Sequence, residues 1–274
     1  MEHAEIFEDR QQAARLRAEA EFGWREIQPY FAGQQKPNTV LEVGCGTGYL
    51  LSQMAQKFND ISFTGVEPIG SGFTQFESTL NTIEKEFANI TFVRKRIEDI
   101  KSEKRYDLIY SINVFEHLDD WREAIDICMS LLNSNGLLVI LCPNYWIPYE
   151  SHFSLPVIGN KSLTYKVFSK RITEMEERLR AQGLWKSLNF VTVPQIQRYC
   201  KVKGYTPEFD TAIMARMLDR LDDDPEFKKR QSSLARLASI ANQLGAGFVL
   251  RLLPPRWGAY MKVTFRAQNQ QNLV

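Results

Sequence analysis

Residues Val40-Leu41-Glu42-Val43-Gly44-Cys45-Gly46-Thr47-Gly48 constrain this chain more than any other stretch. A β-branched, apolar run that meets three glycines spaced two apart reads as a buried strand ending in a tight turn. Glycine permits φ > 0 there and removes the Cβ that would keep a ligand from the backbone. The turn feeds a helix over 49–57, whose first N–H groups favour polar or anionic ligand atoms. A dinucleotide fingerprint, G-x-G-x-x-G, needs glycine at 49, but that position holds Tyr49 and the third glycine is Gly48. This spacing disfavours a nicotinamide oxidoreductase.

Four further apolar runs follow, with helical patterns between them. Strands are expected at 61–67, 90–93, 106–112 and 136–142, and helices at 72–88 and 121–132. Such alternation specifies an α/β, Rossmann-like doubly wound sheet, with ligand groups at the carboxyl ends of its strands. One or two helices are expected within 4–32. After Pro143 the rhythm breaks. Residues 144–190 are aromatic-rich and then helical from Lys170 to Gln182, and read as a cap. A helix at 194–204, a strand-like run at 205–214, helices within 215–252, a last strand at 258–265 and a frayed tail from Asn269 complete the reading. We therefore expect one domain over 1–274: N-terminal helices (1–36), a cofactor-binding core (37–143), a cap insert (144–192), more core (193–214), a second helical insert (215–254), then the last strand and tail (255–274).

Within that second insert, Leu234, Leu237, Ala241, Leu244 and Phe248 recur at helical spacing. The expected reading is a helix packed on its own domain. The alternative is an interfacial helix in peripheral contact with a membrane, with Arg236 and Arg251 near lipid headgroups.

Composition excludes several classes. Lys and Arg total 34 against 33 Asp and Glu, a formal charge of +1, so no global field recruits nucleic acid or an anionic surface. The four cysteines (Cys45, Cys128, Cys142, Cys200) are scattered and form no C-x-x-C, the usage of a reducing compartment. The charged N-terminus does not read as a signal peptide, and no apolar run approaches the roughly 20 residues that span a bilayer. A cytoplasmic location is expected. The sequence carries no signal for oligomeric state.

Glu67 lies at the end of the second strand, where Rossmann-like sites use an acid to accept ribose hydroxyls. The segment Arg94-Lys95-Arg96-Ile97-Glu98 follows the third strand, and Asn113-Val114-Phe115-Glu116-His117-Leu118 follows the fourth. Together with E-x-G-x-G-x-G these motifs, over residues 39–145, resemble class I S-adenosylmethionine-dependent methyltransferases of the small-molecule, Glu-His-Leu group. The resemblance implies a seven-stranded sheet with an antiparallel last strand, strands six and seven falling in 205–214 and 258–265. It implies S-adenosyl-L-methionine as cofactor and S-adenosyl-L-homocysteine as product. It places Glu42, Gly44, Cys45, Gly46, Gly48, Glu67, Pro68, Ile97, Glu98, Asn113 and Glu116 around that cofactor. The sequence departs from the family where an acid would take the adenine amine: Arg96 stands there and cannot accept a hydrogen bond. Ile97 is left to pack on the ring, with Glu98 as a replacement acid.

Of three histidines, two fall on expected site edges: His117, and His152 in Pro143-Asn144-Tyr145-Trp146-Ile147-Pro148-Tyr149-Glu150-Ser151-His152-Phe153. Both are candidate bases, because an imidazole takes a hydroxyl proton near neutral pH. The aromatics beside His152 suit an acceptor pocket. The expected reaction is O-methylation of a small molecule, saccharide or lipid-linked intermediate. Two alternatives stand beside it. One is a non-catalytic S-adenosylmethionine-binding regulatory protein. The other follows from a resemblance to small-RNA 2′-O-methyltransferases, whose Glu-x-x-Glu-His and later histidine bind a divalent metal. Here Asn113 replaces the first acid, which weakens such a site, and the near-neutral charge disfavours RNA. No metal ligand set is assigned.

Overall fold

A computed structural model of the chain describes residues 10–32, 36–69, 75–179, 181–225, 227–228 and 238–267. The expected frayed tail and the positions of Leu234, Arg236 and Leu237 lie outside the described residues. The chain divides into two compact units, one of residues 1–112, 123–139 and 265–274, the other of residues 113–122 and 140–264.

Helix α1 (Arg10–Ile27) and a short 3₁₀ turn (Gln28–Phe31) precede the sheet. Strand β1 (Thr39–Val43) leads into α2 (Tyr49–Lys57), β2 (Ser62–Val66), α3 (Gln75–Glu86), β3 (Ile90–Val93), β4 (Tyr106–Ile112) and α4 (Trp121–Ser130). β5 (Leu132–Pro143) begins four residues before the expected Gly136. β1 lies in parallel between β2 and β4, with Val43 opposite Val66 and Ser111. β2 also pairs in parallel with β3. Val40, Leu41, Phe63, Leu108 and Ile109 are essentially inaccessible. Their near-continuous apolar runs mark strands covered on both faces, each such side chain contributing about 1.5–3 kcal/mol by burial.

Beyond Pro143 a two-stranded hairpin, β6 (Tyr149–Glu150) and β7 (Leu155–Pro156), pairs antiparallel. It is followed by α5 (Lys161–Leu179), α6 (Leu184–Ser187) and α7 (Val193–Lys203). α5 begins nine residues before the expected Lys170 and carries a non-helical residue at Phe168. α7 opens with a reciprocal Thr192–Gln195 capping box and closes on Gly204 at φ +75°. The strand-like run at 205–214 shrinks to β8 (Glu208–Phe209), because Ile213 already starts α8 (Ile213–Asp223). α9 (Ala246–Leu252) and β9 (Tyr260–Arg266) follow, and β9 completes the strands of the sheet.

The sheet has seven strands in the order β3-β2-β1-β4-β5-β9-β8. β8 runs antiparallel to β9, Glu208 opposite Thr264. The expected mixed, mostly parallel sheet with an antiparallel strand is the one observed. Among the described residues, no helix is long and apolar enough to cross a membrane.

Candidate active site

In the first unit the glycine turn is pinned to the end of β2. The N–H groups of Gly44 and Cys45 donate to the Val66 carbonyl at 2.8 and 3.2 Å, and Gly48 N–H donates to Cys45 O at 2.8 Å. Gly44, Gly46 and Gly48 all have positive φ, at 73°, 53° and 71°. Their needs differ. A Cβ on Gly48 would lie 2.6 Å from the Phe92 ring, so packing forbids one. A Cβ on Gly46 would meet nothing within 4 Å, so Gly46 borders open space.

Carboxylates surround this turn. Glu67 is buried and accepts from Gly46 N–H at 2.9 Å. Burial pushes its carboxyl up to about 7 despite that bond. Glu42 is buried, with Oε2 lacking a partner. Desolvation lifts it to about 8, with the charge of Glu67 adding to the rise. Buried, under-satisfied carboxylates beside an open glycine are what a ligand bearing hydroxyls and an amine would complete. The turn therefore fits a nucleoside with an amino-acid tail. Cys45 is buried within it and its thiol is held well above the ordinary range by burial, so it acts as packing. Pro68 is exposed and continues the chain from Glu67.

After β3, Ile97 is 2% exposed and starts a 3₁₀ turn (Ile97–Asp99). Arg96 points outward and its guanidinium bonds Glu98 Oε1 at 3.2 Å, whereas Glu98 Oε2 is buried without a partner. Glu98 is thus both salt-linked and half-unsatisfied.

In the second unit the residues after β4 form a 3₁₀ turn, Phe115–His117. Asn113 enters it at φ +56°, a conformation costing about 1–3 kcal/mol for a non-glycine residue. Its N–H donates to Leu141 O at 2.8 Å, and its Oδ1 accepts from the Tyr260 hydroxyl at 2.7 Å. Asn189, just before α7, locks the turn: its backbone N–H donates to Glu116 O at 2.8 Å and its side-chain amide donates to Phe115 O and Leu118 O at 2.7 and 2.9 Å.

The turn and the hairpin bring Glu116, His117 and His152 together, one ligand-type atom of each lying within 4.8 Å of the others. The two imidazoles meet edge to face with centroids 5.2 Å apart. His117 Nδ1 is 2.9 Å from Ser187 Oγ, and burial, then the neighbouring His152, push its imidazole down to about 3, so it is neutral. Glu116 is fully buried with both oxygens unpartnered, and burial raises it to about 7.

The residue that the motifs did not single out is Glu150. It is fully buried and accepts from His152 Nδ1 at 2.6 Å, Phe153 N–H at 2.7 Å and the Tyr145 hydroxyl at 3.1 Å. Burial alone would raise its carboxyl, but the bonds from His152 and Phe153 and the imidazole's charge hold it below the ordinary range. An ionised Glu150 fixes the imidazole's orientation and tautomer, with the proton on Nδ1. The only sequence signal was an acid two residues before a histidine. Of the aromatics near His152, Trp146 is 47% exposed. Tyr145 and Phe153 belong to a buried cluster with Leu155, Ile172, Trp185 and Leu188.

Comparison with known proteins shows the family. A family described as a methyltransferase domain matches residues 9–184. An uncharacterized protein of Mycobacterium tuberculosis (strain H37Rv) is 36% identical over 219 residues, covering 79% of this chain and 74% of that protein. A malonyl-[acyl-carrier protein] O-methyltransferase of Ilyobacter polytropus is 25% identical over 157 residues, 56% of this chain and 55% of its own. The fold is similar to that of the plantazolicin methyltransferase BamL, solved with a triazolic desmethylPZN analog and S-adenosylhomocysteine. That likeness has a TM-score of 0.53 at 13% identity and covers 96% of this chain and 92% of the other. The chain belongs to the class I S-adenosylmethionine-dependent methyltransferase family.

Proposed function

We propose that this methyltransferase moves a methyl group to an oxygen of a small molecule, saccharide or lipid-linked acceptor, with His152 as the base and Glu150 as its positioning residue. The observation that carries the reading is the 2.6 Å bond from His152 Nδ1 to a buried, ionised Glu150. When bound, S-adenosylmethionine would supply a methyl carbon already activated on a positive sulfur, with a neutral thioether as the leaving group. What remains for the chain is alignment, exclusion of water and removal of one proton. His152 takes the acceptor hydroxyl's proton on Nε2 as the O–C bond forms and the S–C bond breaks. Glu150 stabilises the imidazolium so produced. Gly46 and the Glu67 carboxylate hold the cofactor's polar edge. Glu42, Ile97 and Glu98 complete the family's cofactor set, and Asn113 and Glu116 the set beyond β4.

The test is transfer of label from methyl-labelled S-adenosylmethionine into a cell extract. We expect His152→Ala and Glu150→Gln each to lower turnover by about 10²–10⁴-fold while retaining S-adenosylhomocysteine binding. Wild-type protein that binds cofactor without turnover would make it a binding protein, and unimpaired variants would remove the base assignment.

The Glu116-His117-His152 cluster favours a second reading, in which a divalent cation polarises the acceptor oxygen. Titration calorimetry with Mn²⁺ decides it, and no heat of binding removes it.

A further inference from the structure

We infer that the segment from Leu244 to Trp257 is a membrane-docking face that fits an anionic lipid surface. Seven of the thirteen exposed large apolar side chains among the described residues fall within positions 240–257. The sequence reading expected Leu244 and Phe248 to pack inward. Instead they are 84% and 71% exposed, and Leu252 is 70% exposed.

The local structure explains why. Gly245, at φ +89°, breaks the helical stretch at 238–243 and restarts the chain as α9. α9 sits on α8 through Gly247, where an added Cβ would lie 3.8 Å from Ala215 Cβ. Seating a helix through its glycine turns Phe248, Val249 and Leu252 to the other side. Pro254 and Pro255 then stop the helix, and the following turn (Pro255–Trp257) presents Trp257, which is half exposed.

Charge selects the occupant. From 240 to 258 the only ionisable side chains are Arg251 and Arg256, and the acid that α8 brings beside Phe248 and Arg251, Asp219, accepts from the Asn242 amide at 3.1 Å. Both are exposed, and Arg256 lies 5.6 Å from the Trp257 ring. Phe, Leu and Trp flanked by arginine are what an interfacial segment uses: apolar side chains enter the acyl boundary, and guanidinium groups stay with the phosphates. A second copy of the chain is the poorer fit. A stable protein interface draws on roughly 20–30 residues a side, and this face offers a narrow strip. The inference does not depend on the acceptor proposed above.

The test is flotation of the full chain with vesicles of phosphatidylcholine plus phosphatidylglycerol, and with phosphatidylcholine alone. We expect association with the anionic vesicles that weakens with salt. Phe248→Glu with Leu252→Glu should reduce it about tenfold or more. Arg251→Gln with Arg256→Gln should lower it toward the phosphatidylcholine level and flatten its salt dependence. Circular dichroism and S-adenosylhomocysteine binding check that the variants are folded. Failure of the folded wild type to float at low salt overturns the inference, as does a Phe248/Leu252 variant that floats like wild type. A dimer seen by sedimentation velocity, dissociated by the same variant while vesicles are ignored, assigns the face to a second copy instead.

Discussion

Glu67 illustrates how one side chain is tied to the glycine turn. Its carboxylate is buried, bonded to Gly46 N–H at 2.9 Å, and raised to about 7 by desolvation. A bound ribose offers two hydroxyl donors to such a group, which an amide matches less well. Glu67→Gln is therefore expected to weaken S-adenosylhomocysteine binding by about 1.5–3 kcal/mol, roughly ten- to a hundredfold, measured by calorimetry. Gly44, Gly46, Gly48 and Glu67 were legible in the sequence because a strand, a tight turn and the next strand's end are short-range features. Glu150 was not. One acid among 33 Asp and Glu becomes distinctive only when the hairpin folds it away from solvent and against His152. Arg96, which cannot accept a hydrogen bond from an amine, is turned to solvent with Glu98 as a partner.

At the scale of elements, the loop after β5 depends on Asn144. This residue is 1% exposed and meets four backbone groups: its amide donates to Gly258 O at 2.7 Å and Arg256 O at 3.1 Å, and its Oδ1 accepts from Val193 N–H at 3.0 Å and Trp146 N–H at 3.2 Å. Alanine there leaves buried backbone groups unpaired. We expect Asn144→Ala to cost about 2–4 kcal/mol in urea unfolding, with a further loss of turnover because the loop after β5 loosens. Element type was legible wherever a long periodic run existed, as in β1, β4, α2 and α7. Two-residue strands such as β6, β7 and β8 have no period to read. The inward packing expected of Leu244 and Phe248 failed for a specific reason: Gly245 interrupts the helix on which that spacing was counted.

Over the whole molecule, buried acids set the pH response. Glu42, Glu67 and Glu116 are raised to about 8, 7 and 7. A carboxyl with a folded value above its unfolded one binds its proton more tightly when folded. Its contribution to stability is complete below the unfolded value, about 4.5, and is lost as pH rises through 7–8. The lowered acids, among them Asp107, Glu150 and Asp210, act in the opposite sense, and their contribution is lost only as pH falls below about 4. His117, held down to about 3, adds stability as pH rises to about 6.5 and so offsets one of the three raised acids in that range; the cofactor-free protein should have its highest thermal midpoint near pH 5 and a falling midpoint toward pH 8. Glu42→Gln should flatten that fall in a scan of midpoint against pH.

The central claim is that the glycine turn holds S-adenosylmethionine. Thermal unfolding of the wild-type chain with S-adenosylhomocysteine, and separately with NAD, tests it most directly. Stabilisation by S-adenosylhomocysteine that grows with its concentration and is absent with NAD is the predicted result. Stabilisation by NAD alone, or by neither, would contradict the account.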